Sequence, residues 1–403
     1  MIKIGIRYNL IFPMMFIIFN FLRKINTILM DKIIGFNGSV VFTLFMFLSE
    51  FLFGLIFYIY HLRFLKKFDI NKKSTFMGIE LIQAPKTIAH PDSNIKIYSF
   101  IFAITFIDFI EFMIATLYIP RKFQNLSKSL DIRLRGIFTL GSALLCFILL
   151  KFPIYRHQTF SLISIFISLI ILIISEFIFE DMVENGNKRI LLFVILLFFI
   201  TYFFNSFIDV IEKYLLEYDF INPFKMLMLE GLFGLILTLL FCFIENPIIE
   251  VIQVKDNNET LYFILLIIFL ILYFLFSGGM NAYRVTTNKL YSPMTRALCE
   301  SIFAPLLIIY YYCWENDFRL KNNNLIYFII NLILSIIMVF SACVYNELFV
   351  LFCYNLEYDT YKQVSIRAKN IETNFELSLE DSNCTISDMT NESKSSTFIL
   401  SKS

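Results

Sequence analysis

The sequence predicts an all-α polytopic membrane protein, with ten transmembrane helices forming two inverted five-helix repeats. Three observations predict it. Of the 403 residues, 58% are hydrophobic and 17% are charged, whereas a soluble chain is about 45–50% apolar and roughly a quarter charged. The apolar residues gather in runs at about 5–22, 38–60, 98–119, 134–150, 158–180, 189–209, 224–245, 260–280, 293–313 and 324–345. Polar motifs in the second and fourth runs return in the seventh and ninth.

Each run is long enough to cross a ~30 Å hydrocarbon core as a helix. A β-barrel would instead show short alternating segments. The first run follows Lys3 and Arg7 as a signal peptide would, but has no small-residue cleavage site, so it is expected to stay as the first span. Ten spans put both termini on one side. Lys and Arg are more frequent in the segments on the terminal side, above all in the 61–97 loop with Arg63, Lys66, Lys67, Lys72 and Lys73. The positive-inside rule therefore expects cytosolic termini. Residues 1–185 are expected to hold the first repeat and 186–350 the second. Residues 351–403, rich in Ser, Thr, Asn and Glu, are expected to form a disordered cytosolic tail. Within it Tyr361 to Val364 has the form of a sorting signal. Asn125 and Asn258 are the better glycosylation candidates, because Asn383 and Asn391 fall in the tail.

The balance of 34 Lys and Arg against 33 acids leaves no basic surface for phosphates, so nucleic acid is excluded as a partner. Seven Cys without a CxxC pair and three scattered His argue against a disulfide framework or a zinc site. There is no GxxxxGK[ST], GxSxG or HExxH motif. No cofactor or metal is expected, and the chain is not expected to be an enzyme.

Glu50-Phe51-Leu52-Phe53-Gly54-Leu55-Ile56 in the second span is echoed by Glu230-Gly231-Leu232-Phe233-Gly234-Leu235-Ile236 in the seventh. Ser129 and Arg133 open the fourth span as Ser292 and Arg296 open the ninth. Both echoes step five spans. An odd step reverses direction across the membrane, which is the pattern of inverted-repeat transporters.

Charged side chains inside a span cost roughly 2.5–3.5 kcal/mol each, so they mark cavities or partners. Asp108 and Glu111 lie three apart on one face of the third span, where they can bind protons or a cationic group or pair with a neighbouring base. Glu50 and Glu230 occupy equivalent helices and suggest a shared structural role, with Gly54 and Gly234 one turn on allowing close helix approach. Arg133 and Arg135 open the fourth span, and Lys289 and Arg296 flank the start of the ninth. Cations at helix N-termini suit an anionic solute or simply snorkel to the interface. Arg135, Arg296, Asp108, Glu111, Lys289, Thr295 and Asn281 are the substrate-binding candidates. Glu50, Gly54, Glu230 and Gly234 are the structural ones.

Several of these residues form a wider pattern: Asn26-Thr27, Met46-Phe47-Leu48-Ser49-Glu50, Asp108, Leu134-Arg135-Gly136, Glu212-Lys213, Pro223, Glu230-Gly231-Leu232-Phe233-Gly234, Lys289-x-x-Ser292-x-x-Thr295-Arg296 with Glu300 and Ser301, Trp314-Glu315-x-x-Phe318 and Tyr345-Asn346. Over about residues 20–350 it resembles the drug/metabolite transporter superfamily, and most closely the F subfamily of solute carrier family 35. Arg23 and Lys24 stand where that family is small and neutral. The resemblance implies a drug/metabolite transporter fold, alternating access without ATP hydrolysis, and an organelle membrane such as Golgi, lysosome or vacuole. The expected function is secondary transport or exchange of a small polar organic solute; a receptor or scaffold that keeps the fold is the alternative. A small-molecule substrate and the lipid bilayer are the expected partners, and a homodimer is compatible with the sequence.

Overall fold

The computed structural model describes residues 2–4, 11–36, 38–67, 75–76, 79–80, 94–119, 130–180, 188–217, 219, 221–245, 260–313 and 324–351, with scattered positions between 356 and 367. These residues are almost entirely helical. Ile- and Phe-rich segments have only middling helix propensity in water. In hydrocarbon every backbone N–H must be satisfied within its own segment, and that favours the helix whatever the propensity.

The helices are α1 (Ile11–Ile34), α2 (Ser39–Lys67), α3 (Asn94–Met113), α4 (Gly136–Leu149), α5 (Arg156–Glu180), α6 (Lys188–Glu217), α7 (Pro223–Cys242), α8 (Thr260–Leu290), α9 (Pro293–Ser301, then Ala304–Cys313) and α10 (Asn324–Tyr345). Nine are long and apolar enough to span a membrane, and α4 is a shorter apolar helix. Its reach is extended by a helical turn at 130–133. Ile137 N–H donates to Leu134 O and Phe138 N–H to Arg135 O, so the turn joins α4 through tighter i to i+3 bonds. Together they span about 30 Å at ~1.5 Å per residue. α3 widens into a π-turn at Ile114–Tyr118.

Local sequence accounts for several helix ends. Asn222 caps α7, its side chain accepting from Phe224 N–H and Lys225 N–H, and Pro223 takes the first position. Ser292 and Pro293 open α9 in the same way, which uses a proline where its missing N–H costs nothing. The break in α9 precedes Pro305, which cannot donate to the Ser301 carbonyl. α1 stops at Gly35, whose φ of +71° is the left-handed turn that glycine supplies without strain.

Large apolar side chains face outward all around the bundle, among them Ile95, Phe147, Phe166, Ile174, Leu240, Ile271 and Ile333. Arg133, Asp209, Glu212 and Asn288 are fully buried. A soluble protein has the reverse distribution, so this is a multi-pass membrane protein. Its longest helix, α8, has 31 residues, about 46 Å, and crosses with tilt.

α2 packs on α7, α1 on α8 and α5 on α10 most extensively. α4 packs on α6, α9 and α5; α3 packs on α7 and α6; α2 packs on α8; and α1 and α10 pack on α9. The largest apolar core lies between α4, α5, α6 and α10, with Leu134, Phe138, Leu169, Leu172, Val194 and Met338. Strand β1 (Ile2–Ile4) precedes α1 and pairs antiparallel with β4 (Phe349–Leu351), which follows α10. A short hairpin, β2 (Thr75–Phe76) and β3 (Ile79–Glu80), lies between α2 and α3.

Candidate functional site

Helix α6 is the spine of the polar interior. Tyr202, Asn205, Asp209 and Glu212 recur at helical spacing along one face, and Asp209 and Glu212 are fully buried. Each meets an arginine from the second half of the chain. Arg296 on α9 pairs with Asp209. It also reaches Glu300 Oε1 at 3.2 Å and Asn205 Oδ1 at 3.2 Å. Arg284 on α8 lies 3.0 Å from Glu212 Oε1 and 3.2 Å from Glu230 Oε2 on α7. Asn288, one turn on, donates to Glu212 Oε2 at 3.1 Å and to the Asp209 carbonyl at 2.9 Å, which joins the two clusters.

The polar groups of α8 form a stripe. Ser277, Asn281, Arg284 and Asn288 lie on one helical face, each at most 5% exposed. Ser277 Oγ and the Asn281 amide nitrogen are buried without a hydrogen-bond partner among the described residues.

Arg135 lies at the start of α4. Its Nη1 donates to the Glu300 carbonyl at 2.8 Å, and its Nη2 lies 3.5 Å from Asp131 Oδ2. Tyr202 O–H donates to Asp131 Oδ1 at 2.6 Å. Arg135 also borders a small cavity, with room for about one water molecule, lined by Gly136, Thr139, Ser301 and Ser335 between α4, α5, α9 and α10. Asp108 is half-buried on α3, within electrostatic reach of both Arg284 and Arg296. Glu111 is also half-buried and faces Asp108, Asp131, Glu300 and Arg296. The acids of α3 therefore look onto both arginine clusters.

Thr295 and Lys289 lie apart from that centre. Thr295 Oγ1 donates to Asn346 Oδ1 at 2.8 Å. The Lys289 carbonyl accepts from Lys213 Nζ at 3.0 Å, as the Tyr291 carbonyl does at 2.8 Å. Lys213, held by Glu217 at 2.6 Å, thus caps the C-terminal carbonyls of α8.

A second ionic group lies elsewhere. Arg133 pairs with Glu176 on α5 and with the Tyr327 hydroxyl on α10. Tyr327 O–H donates to Glu176 Oε1 at 2.7 Å. One guanidinium meets one carboxylate and one phenol, all deeply buried.

Glu50 and Glu230 meet where α2 crosses α7. A Cβ on Gly54 would lie 2.5 Å from Met228 N, one on Gly231 2.2 Å from Phe51 N, and one on Gly234 2.1 Å from the Phe47 ring. Only glycine permits so close an approach.

Sequence reasoning missed Arg284, Asp209, Asn205, Asn288, Glu176 and Tyr327. For Arg284 and Asn288 the signal was cut off, whereas Asn205 and Asp209 lie inside the sixth run and were passed over. The eighth and sixth spans end at 280 and 209 when an apolar run stops at its first charge. The helices continue to Leu290 and Glu217, and the added turns carry the ionic centre. Ser129, Trp314, Glu315, Phe318, Asn125, Asn258, Asn383 and Asn391 lie outside the described residues.

No protein-family model matches the chain, and none of the curated proteins searched matches it.

Proposed function

We propose that this protein is a secondary transporter or exchanger of a small polar organic solute, working by alternating access without ATP hydrolysis. Its main support is the buried ionic layer contributed by α2, α3, α6, α7, α8 and α9. A multi-pass protein that only needs to be stable in lipid has no use for so many intramembrane charges, whereas a polar pathway does.

Two further observations support the ten-helix inverted repeat as part of the proposal. One constant offset in sequence carries Phe47 to Leu227, Glu50 to Glu230, Phe51 to Gly231 and Gly54 to Gly234. The α2–α7 crossing respects it: Gly54 abuts Leu227 and Met228, Gly234 abuts Phe47, and Gly231 abuts Phe51. At the level of helices, a five-helix step carries α1–α8 into α6–α3, α2–α8 into α7–α3, α4–α6 into α9–α1, and α4–α5 into α9–α10. The α6–α8 packing is a departure, since α1 and α3 make no comparable contact among the described residues. The β1–β4 pairing favours an even number of crossings.

The likeness to the F subfamily of solute carrier family 35, an organelle location and cytosolic termini belong to the same proposal. The test is counterflow in proteoliposomes made with the full chain, using labelled nucleotide sugars, nucleotides, amino acids, peptides and organic cations. Uptake of one class is expected. Arg135→Gln, at the cavity, should lower that uptake by about tenfold with the Tm little changed, since ~1.4 kcal/mol of a charged contact is one decade. A folded protein that moves none of the panel would favour a receptor or scaffold.

A further inference from the structure

The cluster around Arg284 holds more acid than base. Glu50 faces Arg284 on α8, Asp108 on α3, Glu212 on α6 and Arg23 on α1. Glu230 faces Glu212, Arg284, Glu50 and Asp108. Four carboxyl groups thus share two guanidinium groups. Nearby Arg296 also faces Asp108, but it is already bound to Asp209 and Glu300.

Two carboxyl oxygens in this cluster stand out. Glu50 is 1% exposed and Glu230 is 4% exposed. Glu50 Oε2 and Glu230 Oε1 are buried with no hydrogen-bond partner among the described residues. Four like charges in a low-dielectric interior do not all ionise against two positive ones, so something positive must sit with them. Two facts narrow what that is. Among the described residues no three His, Cys, Asp or Glu side chains are placed to hold a metal ion. The helix backbones on either side of the two glutamates are in contact through Gly54 and Gly231, where a bulky organic cation does not fit. A proton does.

We infer that Glu50 and Glu230 form a proton-binding site at the α2–α7 crossing, occupied while the two helices are packed together. The inference rests on the transporter proposal for its purpose: the coupling ion is H⁺ and the two glutamates carry it. The chemistry is a simple exchange. A carboxylic O–H gives its proton to water, and the carboxylate left behind pairs with Arg284 or repels its neighbour. Because the two glutamates are related by the repeat offset, that repulsion acts across the contact between the halves. Ionisation therefore loosens the crossing that the glycines close, and protonation restores it.

The experiment is infrared spectroscopy of the purified full chain in lipid nanodiscs across pH, following the C=O stretch of protonated carboxyl groups. A protonated carboxyl band is expected at neutral pH, fading as pH rises. Glu50→Gln and Glu230→Gln should each weaken it, whereas Asp108→Asn should leave most of it. If either Gln variant fails to fold, Glu50→Asp or Glu230→Asp should shift the band instead. A folded protein with no such band at neutral pH overturns the inference, as does a band lost only in Asp108→Asn or Glu111→Gln. The readout needs no transported solute, so the two ideas fail separately. A band without flux of any solute removes the transporter proposal. Flux without a band removes the proton site.

Discussion

Two buried ionic groups differ in their accounting. Arg133, Glu176 and Tyr327 form a closed triangle of direct contacts: Arg133 meets both Glu176 and the Tyr327 hydroxyl, and Tyr327 O–H donates to Glu176. Arg284 has Glu212 and Glu230 as direct partners, with Glu50 and Asp108 in the same field. The first group ties the turn before α4 to α5 and α10. The second leaves oxygens without partners where the two halves touch. Burial alone does not distinguish a structural ion pair from a functional one, since both are buried. Buried oxygens without a hydrogen-bond partner among the described residues, present in the second group and not in the first, do.

This difference can be broken by substitution, and the largest effect is expected in the closed group. Glu176→Ala removes the carboxylate that Arg133 and Tyr327 share and should cost about 3–5 kcal/mol, read as a large fall in Tm in detergent. Converting the pair together, Arg133→Met with Glu176→Leu, should recover most of that loss. A Tm unchanged by Glu176→Ala would mean the triad is not load-sharing. Next comes the crossing itself. Gly231→Leu forces a side chain into the Phe51 backbone and should cost up to about 3 kcal/mol. It should also increase crosslinking reach between cysteines placed on α2 and α7; an unchanged distance would disprove the close approach. The smallest stability effect belongs to the open group. Glu50→Gln replaces a carboxyl whose Oε2 has no hydrogen-bond partner among the described residues and should shift stability by less than ~1 kcal/mol. A loss as large as that of Glu176→Ala would place Glu50 in the closed category.

Much of the fold was legible in the sequence because hydrocarbon allows few alternatives. Most of the ten apolar runs became helices close to where they were expected, but α1 runs to Ile34 rather than 22 and α8 to Leu290 rather than 280, and only nine are long enough to span alone. α4 falls short because the chain takes a tighter turn at 134–135, between the helical turn at 130–133 and Gly136. The Glu-Phe and Glu-Gly echoes of Glu50 and Glu230 were readable in the sequence. The close backbone approach of α2 and α7 beside them was not, because contact between helices far apart in sequence depends on packing. The ionic centre was half legible. Asp108 and Arg296 sit inside recognisable spans and attract attention, but Asp209, Glu212 and Arg284 lie at the ends of their apolar runs, where a charge looks like the start of a loop. Only paired charges can continue a helix into the interior, and the pairing partner is invisible until the fold is known. Glu176 was overlooked for a related reason: it stands near the end of a run that already looked complete.

The small strand pair at the rim, Ile2–Ile4 against Phe349–Leu351, has a consequence for biosynthesis. A ribosome delivers residue 4 to the membrane long before residue 349, so β1 stays unclasped until nearly every helix has been inserted. The clasp closes only once the segment after α10 has been made and α1 and α10 have come to lie with their outer ends together. The two-stranded ribbon is thus among the last contacts the growing chain can make.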